Sequence, residues 1–433
     1  MHVETDHRPS LRRTLGRWDL TAIGINQVIG GSIFLLPAQV AGVIGAWSPI
    51  GVAVMGLASL TVALCFGRLA TQIDGTGGPY LYARQAFGDF FGFEVGWMQW
   101  FTRAASQSAI MAGTPVALGY YFPALTAGWP RAATIIVLAS ALAWVNVRGV
   151  RQSAWVVDVL TVAKLVPLAL FIVLGFSSVH ASRLTTLPPL TIRQALAGAL
   201  MLIFMYGGYE VVPVPGGESL NPRRDVPFAL VATILCVTVV MTLTQAVAQG
   251  VLPNLATHST PIADAAAVAL GASGALLVGI GSVLSMTGNN AGQVLTGARM
   301  IFALAEHNQL PRWFGRVHPI YRTPSNAVLF TSIVATSLAL TGSFARLAVV
   351  AAFARLIMYG GCAAATLKFR LGVIVPVLAL IVTTLLAFGA NQEQLMGGTI
   401  ALGVGAAFYV VTRAGDAARR GGPPRPHVRC AGP

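Results

Sequence analysis

The sequence predicts an all-α polytopic membrane protein with about twelve transmembrane helices, and three observations support this class. The 433-residue chain is 55% hydrophobic and only 10% charged, with a mean hydropathy of +0.72, so polar surface is too scarce for a water-soluble protein of this size. Apolar stretches of about twenty residues, enough to cross a hydrocarbon core of roughly 30 Å, recur along the chain. Arginines are concentrated in alternate loops between these stretches, as the positive-inside rule predicts.

The predicted spans follow from these apolar stretches in chain order. The first is too long and too interrupted by glycine for a cleaved signal peptide and lacks a small-residue cleavage motif, so we expect it to remain in the protein. The four cysteines are isolated from one another in sequence and indicate neither a disulfide framework nor a metal site. The spans cover residues 20–44, 50–72, 91–121, 129–147, 154–176, 193–215, 226–250, 270–298, 326–342, 346–367, 373–389 and 396–412.

The net charge of +14 orients the protein in the membrane and does not indicate a nucleic-acid partner, because the basic residues are not clustered in a soluble domain. With the N-terminus in the cytoplasm, the loops on the opposite side contain only Arg131, Arg183, Arg193 and Arg346. We therefore expect both termini to be cytoplasmic. We also expect a multi-pass protein of the plasma membrane, which is the inner membrane in a bacterium.

Two predicted spans contain a similar interruption. In NQVIGGSIFLLPA, within the first span, Gly31 precedes Pro37 by six residues, and in FMYGGYEVVPVPGGE, within the sixth, Gly207 precedes Pro213 by the same spacing. Because the two spans are five apart, the second enters the membrane from the opposite side. This pattern is typical of inverted-topology repeats, whose broken helices meet near the bilayer midplane.

A break in a transmembrane helix creates a binding site for charge. Unwound backbone survives in a membrane only where it is buried in protein or lines a polar cavity. Glycine permits the backbone angles, and proline starts the second half-helix or prevents the first from resealing. The N-terminal amides of one half-helix favour an anion and the C-terminal carbonyls of the other favour a cation, so two crossed breaks suit a zwitterion. Alternatively, the paired glycines only allow close helix packing.

Four segments in chain order resemble the amino acid–polyamine–organocation (APC) transporter superfamily. They are IGGSIFLLPA at 29–38, GTGGPYLYARQAFG at 75–88, GESLNPRRDVPFAL at 217–230 and GARMIFALAEHNQLP at 297–311. The first is similar to the family's Ile-Gly-Ser-Gly-Ile-Phe segment with Gly31 and Ser32 in swapped order. Together the four segments resemble an amino acid permease of this superfamily.

The resemblance implies a five-plus-five inverted-repeat core of the LeuT type, followed by two further helices, with spans one and six unwound at mid-membrane. The corresponding organisation is a cytoplasmic N-terminal tail at 1–18, a first five-helix repeat at 19–176 and a second, inverted repeat at 191–367. Two additional helices at 372–412 and a basic cytoplasmic tail at 413–433 complete the chain.

The resemblance also implies a substrate site at the two breaks. The substrate carboxylate would lie against the amides and hydroxyl around Gly30, Gly31 and Ser32, and its ammonium would face carbonyls of both broken spans. Phe204 matches the family's gating aromatic residue and Gln107 matches a polar pocket residue of the third span, whereas Asn289 lines the pocket or bonds neighbouring helices. The predicted substrate-binding residues are Val28, Ile29, Gly30, Gly31, Ser32, Gln107, Phe204, Gly207, Gly208 and Asn289.

Ionisable residues within predicted spans are functional candidates, and three of them are considered in turn: Lys164, Glu210 and Arg103. Lys164 is deep in the fifth span, where the resemblance implies that its ammonium replaces the sodium ion of sodium-coupled relatives and exchanges a proton during transport; alternatively, it is a permanently charged lysine satisfied by carbonyls of the first break. Glu210 is a second proton carrier or bridges helices by hydrogen bonds. Arg103 binds an acidic side chain of the substrate or, as we favour, neutralises a buried partner such as Glu94 or Asp158.

The function predicted from these features is secondary active transport of an amino acid or related amine, coupled to protons in symport, by alternating access. An exchanger without proton coupling is the alternative. A membrane-embedded enzyme is less favoured because the sequence has neither His-Glu-x-x-His nor Gly-x-Ser-x-Gly, and a channel would need a continuous polar lining. We expect no catalytic residue, cofactor or metal; the partners are an amino acid, a proton and lipid, in a monomer or homodimer.

Overall fold

The computed structural model describes residues 13–73, 77–148 and 154–420, with side chains described up to 148 and from 161 to 413 within these ranges. The predicted tails therefore lie partly outside the described residues, at 1–12 and 421–433. Within the described ranges the backbone forms α-helices and short 3-10 turns, and an isolated bridge between Leu15 and Ser219 is the one β-type pairing found there.

The α-helices of the described chain are numbered α1 to α15 in chain order. They are α1 Arg17–Val28, α2 Ser32–Ile44, α3 Ser48–Gln72, α4 Pro79–Phe87, α5 Asp89–Leu118, α6 Gly128–Arg148, α7 Ala154–Gly175, α8 Ser182–Thr185, α9 Ile192–Met205, α10 Pro222–Val251, α11 Pro261–Glu306, α12 Ser325–Thr341, α13 Phe344–Lys368, α14 Ile374–Ala387 and α15 Gln392–Arg420.

The helices confirm the predicted all-α polytopic fold. Each predicted apolar stretch coincides with one helix, except the first, which α1 and α2 share, and the sixth, which α9 shares with 3-10 turns. In the described chain, seven helical segments are long and apolar enough to cross a membrane, judged by length and composition, and α9, α12 and α14 are shorter apolar helices. The largest differences from the predicted boundaries are in two helices. Helix α11 begins at Pro261, turns at Gly271 and ends at Glu306, and α15 continues into the predicted basic tail.

The segment between the second and third predicted spans contains a short helix, α4. Proline at the first position of α4 fits because its missing amide has no helical partner there. Helix α4 ends at Phe87 and is followed by Gly88, which has a φ of 91°. Nε of Arg84 donates to Oδ1 of Asp89 at 2.8 Å. This hydrogen bond from Arg84 lowers the pKa of the Asp89 carboxyl below its ordinary value.

The first span is broken between Val28 and Ser32, where α1 ends and α2 begins. Ile29 has a ψ of 85°, which turns the chain out of the helix. The second half-helix starts at Ser32 and not at the proline, because Pro37 lies inside α2. The carbonyl oxygen of Pro37 accepts a hydrogen bond from Nε2 of Gln245 at 3.2 Å.

The sixth span is broken after Met205, and its remaining part consists of turns and not of a second α-helix. Residues 206–208 form a turn, and two 3-10 turns, Tyr209–Val211 and Gly216–Glu218, lead to α10. Pro213 and Pro215 lie between these turns, and each lacks the amide hydrogen that a continuing α-helix needs. The two breaks therefore share a glycine-based interruption but differ in what comes after it.

Candidate functional site

The two broken spans touch at Gly208. This residue has a φ of 141°, which side-chain-bearing residues rarely adopt, and a Cβ built on it would lie 2.5 Å from the backbone carbonyl of Gln27. The absence of a side chain therefore lets the sixth span reach the last turn of α1. In the first break, which follows this turn of α1, Gly30 faces Asn289 and Gly31 faces Met286, both on α11.

The C-terminal carbonyls of α1 are covered by donors from α7 and α11. Nζ of Lys164 donates to Oδ1 and to the carbonyl oxygen of Asn26 at 2.8 and 3.1 Å, and to the carbonyl oxygen of Ile29 at 3.3 Å. Nδ2 of Asn289 donates to the carbonyl of Gln27 at 2.9 Å, and Oγ of Ser285 lies 3.3 Å from the carbonyl of Ile29. This end of the break is therefore suited to positive charge and already holds a lysine.

The start of α2 presents the opposite polarity. The first amides of a helix have no intrahelical acceptor, and Gly31, which occupies the cap position, has no side chain to supply one. Gly31 and Ser32 are buried, and Gly31 lies between Met286 and Ile110, each about 3 Å from where a Cβ would stand. Uncapped amides in an apolar, buried setting favour a small anion.

A cluster of buried charges forms around Glu210. Its Oε1 accepts hydrogen bonds from Nη2 of Arg103 at 2.7 Å and from Nε of Arg355 at 3.1 Å. Its Oε2 accepts from the backbone amide of Gly208 at 2.8 Å and from the hydroxyl of Tyr359 at 3.2 Å. The three side-chain donors, Arg103, Arg355 and Tyr359, join the sixth span to α5 and α13.

Arg103 forms an ion pair, as we favoured, but with a partner that the sequence did not indicate. The prediction named Glu94 or Asp158, whereas the structure pairs Arg103 with Glu210. Glu94 lies nine residues before Arg103 on the same helix, which places it about 13 Å away along the axis and on the opposite face. The side chain of Asp158 lies outside those described. Nη1 of Arg103 donates to Oε1 of Gln293 at 3.2 Å.

Phe204 and Gln107 lie beside this cluster. The ring of Phe204, in the last turn of α9, packs edge-on against Phe344 with centroids 6.1 Å apart, and Cζ of Arg355 lies 5.8 Å from the Phe204 centroid. Gln107 is fully buried, its Nε2 contacts Sδ of Met111 at 3.6 Å, and its Oε1 has no hydrogen-bond partner among the described residues.

The structure brings the predicted site residues together around the two breaks, but several predicted contacts are already made within the protein. The carbonyl of Ile29 accepts from Lys164 and Ser285, and the carbonyls of Val28 and Phe204 accept from the amides of Gly30 and Gly207. The face of Gly207 is covered by the guanidinium of Arg355. A substrate ammonium would therefore displace a contact at the carbonyl of Ile29, which already accepts two hydrogen bonds, and would share the carbonyls of Val28 and Phe204 with one backbone amide each.

Sequence reasoning missed five residues of the site: Asn26, Ser106, Ser285, Arg355 and Tyr359. The signal for one of them was present, because Arg355 lies in FARLIMYGG in the middle of the tenth span, and an arginine there is as costly as Lys164. The others are ordinary polar residues of membrane helices, and only the packing of the helices places them at the breaks.

Comparisons with known proteins find similar sequences over most of the chain. The family model described as "Amino acid permease" matches residues 15–373. An uncharacterised transporter of Mycobacterium tuberculosis is 30% identical over 415 residues, covering 93% of this chain and 92% of that protein. The serine/threonine exchanger SteT of Bacillus subtilis is 29% identical over 383 residues, 83% of each chain. An arginine/ornithine antiporter of Pseudomonas aeruginosa is 31% identical over 334 residues, 72% of this chain and 68% of that one.

Proposed function

Because the chain belongs to the amino acid permease family of the APC superfamily, we propose that it is a secondary transporter that moves an amino acid across the membrane by alternating access. The protein is a multi-pass membrane protein. We further propose that uptake is coupled to protons, that it operates in the plasma membrane with both termini in the cytoplasm, and that neither a cofactor nor enzymatic chemistry is involved.

The observation that carries this proposal is the meeting of the two breaks at Gln27 and Gly208. There the uncapped first turn of α2 lies close to the carbonyl end of α1, so opposite partial charges face one buried region. The α-carboxylate of the substrate binds the amides that follow Gly31. The substrate ammonium has a buried acceptor in Oε1 of Gln107, which has no partner among the described residues.

The five-plus-five division of the chain belongs to this proposal. It is supported by the positions of the two interrupted spans. The span formed by α1 and α2 is the first of the proposed repeat at 19–176, and the span that begins with α9 is the first of the repeat at 191–367. In alternating access the interrupted spans rock against the surrounding helices. Phe204, which packs on Phe344 of α13, would close over the bound substrate.

Lys164 is the proposed coupling residue. It is buried, and its ammonium binds the carbonyl end of α1 directly, so its charge stabilises the broken geometry. Loss of the proton would release α1 from α7 and allow the first span to move. Glu210 is better suited to bridging helices, because all four of its contacts are donors and two come from arginines.

The second candidate is an amino acid exchanger that needs no titrating lysine. Two observations favour it: Lys164 is held by three acceptors, which suits a permanent charge, and two relatives are named as an exchanger and an antiporter. In this case Lys164 only ties α7 to the first break.

Uptake of labelled amino acids into proteoliposomes separates these candidates. Proton-coupled symport predicts accumulation that rises with an inward proton gradient, whereas exchange predicts uptake only into vesicles preloaded with amino acid. Stimulation by sodium alone would contradict the assignment of Lys164. Absence of transport for all common amino acids, with gradients and with preloading, would contradict the proposed function itself.

A further inference from the structure

Two arginines share one carboxylate at the broken sixth span. Arg103 and Arg355 both pair with Oε1 of Glu210, and neither forms another ion pair among the described residues. Glu210 already accepts hydrogen bonds from four donors. Its single negative charge balances only one of the two arginines. The cluster therefore carries one positive charge in excess, in surroundings where uncompensated charge is costly.

Each arginine leaves one buried nitrogen without a hydrogen-bond partner among the described residues. In Arg103 this is the inner Nε, whereas both terminal nitrogens are used, one on Glu210 and one on Gln293. Arg355 donates from Nε to Glu210 and from Nη2 to Oγ of Ser106 at 3.3 Å, but its Nη1 has no hydrogen-bond partner among the described residues. The residue is only 1% exposed, so water at the protein surface does not compensate Nη1.

The position of Arg355 links this free donor to the transport site. Its guanidinium covers Gly207, next to the contact between the breaks, and lies 5.8 Å from the ring of Phe204. Ser106 is adjacent to Gln107 on α5. A positive group of the substrate would be repelled here, whereas a carboxylate would gain a charge-assisted hydrogen bond and neutralise the cluster.

We propose that Arg355 binds a second carboxylate of the substrate, so that the protein selects amino acids with an acidic side chain and net charge −1 and rejects cationic ones. This inference rests on the proposed transport function and specifies its substrate class. The α-carboxylate occupies the amides after Gly31, and the side-chain carboxylate accepts a hydrogen bond from Nη1 of Arg355, which has no partner among the described residues. The relative named as an arginine/ornithine antiporter is thus expected to differ from this chain in substrate charge.

The test compares acids with their uncharged isosteres in proteoliposomes, under a proton gradient and after preloading. Wild-type protein is expected to transport glutamate and aspartate at least about tenfold better than glutamine and asparagine, because a buried guanidinium forms a stronger hydrogen bond with a carboxylate than with a neutral amide. Arginine and lysine should neither be transported nor compete. Equal or better transport of the amides, or transport of arginine, would refute the proposal while leaving amino acid transport standing.

Variants at Arg355 identify the residue responsible. Arg355→Gln should reduce the acid-to-amide preference about tenfold or more, and Arg355→Lys should retain part of it, because the charge is kept and the planar fork is lost. Arg346→Gln is the matched control, because Arg346 is on the same helix in an exposed pair with Glu393 at 3.0 Å. If Arg355→Gln does not fold, the comparison of acids with amides in the wild-type protein still tests the proposed substrate class. An unchanged preference in a folded Arg355→Gln protein would overturn the assignment.

Discussion

Nζ of Lys164 lies 2.8 Å from Oδ1 of Asn26, and Nδ2 of the same asparagine donates to Oγ1 of Thr161 at 3.3 Å. Lys164 and Thr161 are both on α7, so Asn26 is held by two residues of one helix. This orientation aims the amide oxygen at the ammonium. The pair explains how a lysine is tolerated deep in an apolar span, since its ammonium donates to three buried acceptors at the end of α1.

Replacement of Lys164 by methionine should abolish stimulation of uptake by a proton gradient while exchange between preloaded vesicles and medium remains. The reason is that methionine keeps most of the side-chain volume but has no proton to exchange. Measurement of both modes in the same vesicles checks this. Lys368→Met is the matched control, because Lys368 is an exposed lysine at the end of α13. If Lys164→Met retained full stimulation, coupling through this residue would be excluded.

Replacement of Glu210 by glutamine should destabilise the protein strongly. It removes the charge that two buried guanidinium groups share, and breaking a buried ion pair in this way costs about 3–5 kcal/mol. The measurement is the thermal unfolding midpoint in detergent. The control is Glu393→Gln, which removes an exposed pair with Arg346 and should cost about 0–1 kcal/mol. Similar midpoints for both variants would mean that the cluster around Glu210 does not hold the helices together.

The sequence was sufficient to predict the two interruptions, because a glycine and a proline six residues apart act locally on the backbone. It was also sufficient to identify Lys164, since a charge in an apolar span is visible in the sequence. The partner of Arg103 was not predictable, because Glu210 comes from a distant part of the chain and meets α5 only after the helices pack. Arg355 was missed although the argument used for Lys164 applies to it equally.

Replacement of Gly208 by alanine should disturb the contact between the breaks. Its φ of 141° is unfavourable for alanine, by about 1–3 kcal/mol, and the new Cβ would lie 2.5 Å from the backbone of Gln27. The variant should unfold at a lower temperature and bind substrate more weakly. Gly360→Ala is the control, because Gly360 is inside α13 with no heavy atom within 4 Å of its Cβ position, and alanine there favours the helix. Equal behaviour of the two variants would show that the close approach is not required.

Replacement of Gly31 by leucine tests the anion site at the start of α2. A Cβ at this position would lie 3.1 Å from Cγ of Met286 and 3.2 Å from Cγ2 of Ile110, so a larger side chain must occupy the space in front of the first amides of the helix. We expect substrate binding to fall below detection while membrane insertion is retained, as measured by substrate-induced thermal stabilisation and by yield of monodisperse protein. Gly403→Leu is the matched control, because Gly403 is exposed on α15 with no heavy atom within 4 Å. Unchanged affinity in a folded Gly31→Leu protein would place the substrate carboxylate elsewhere.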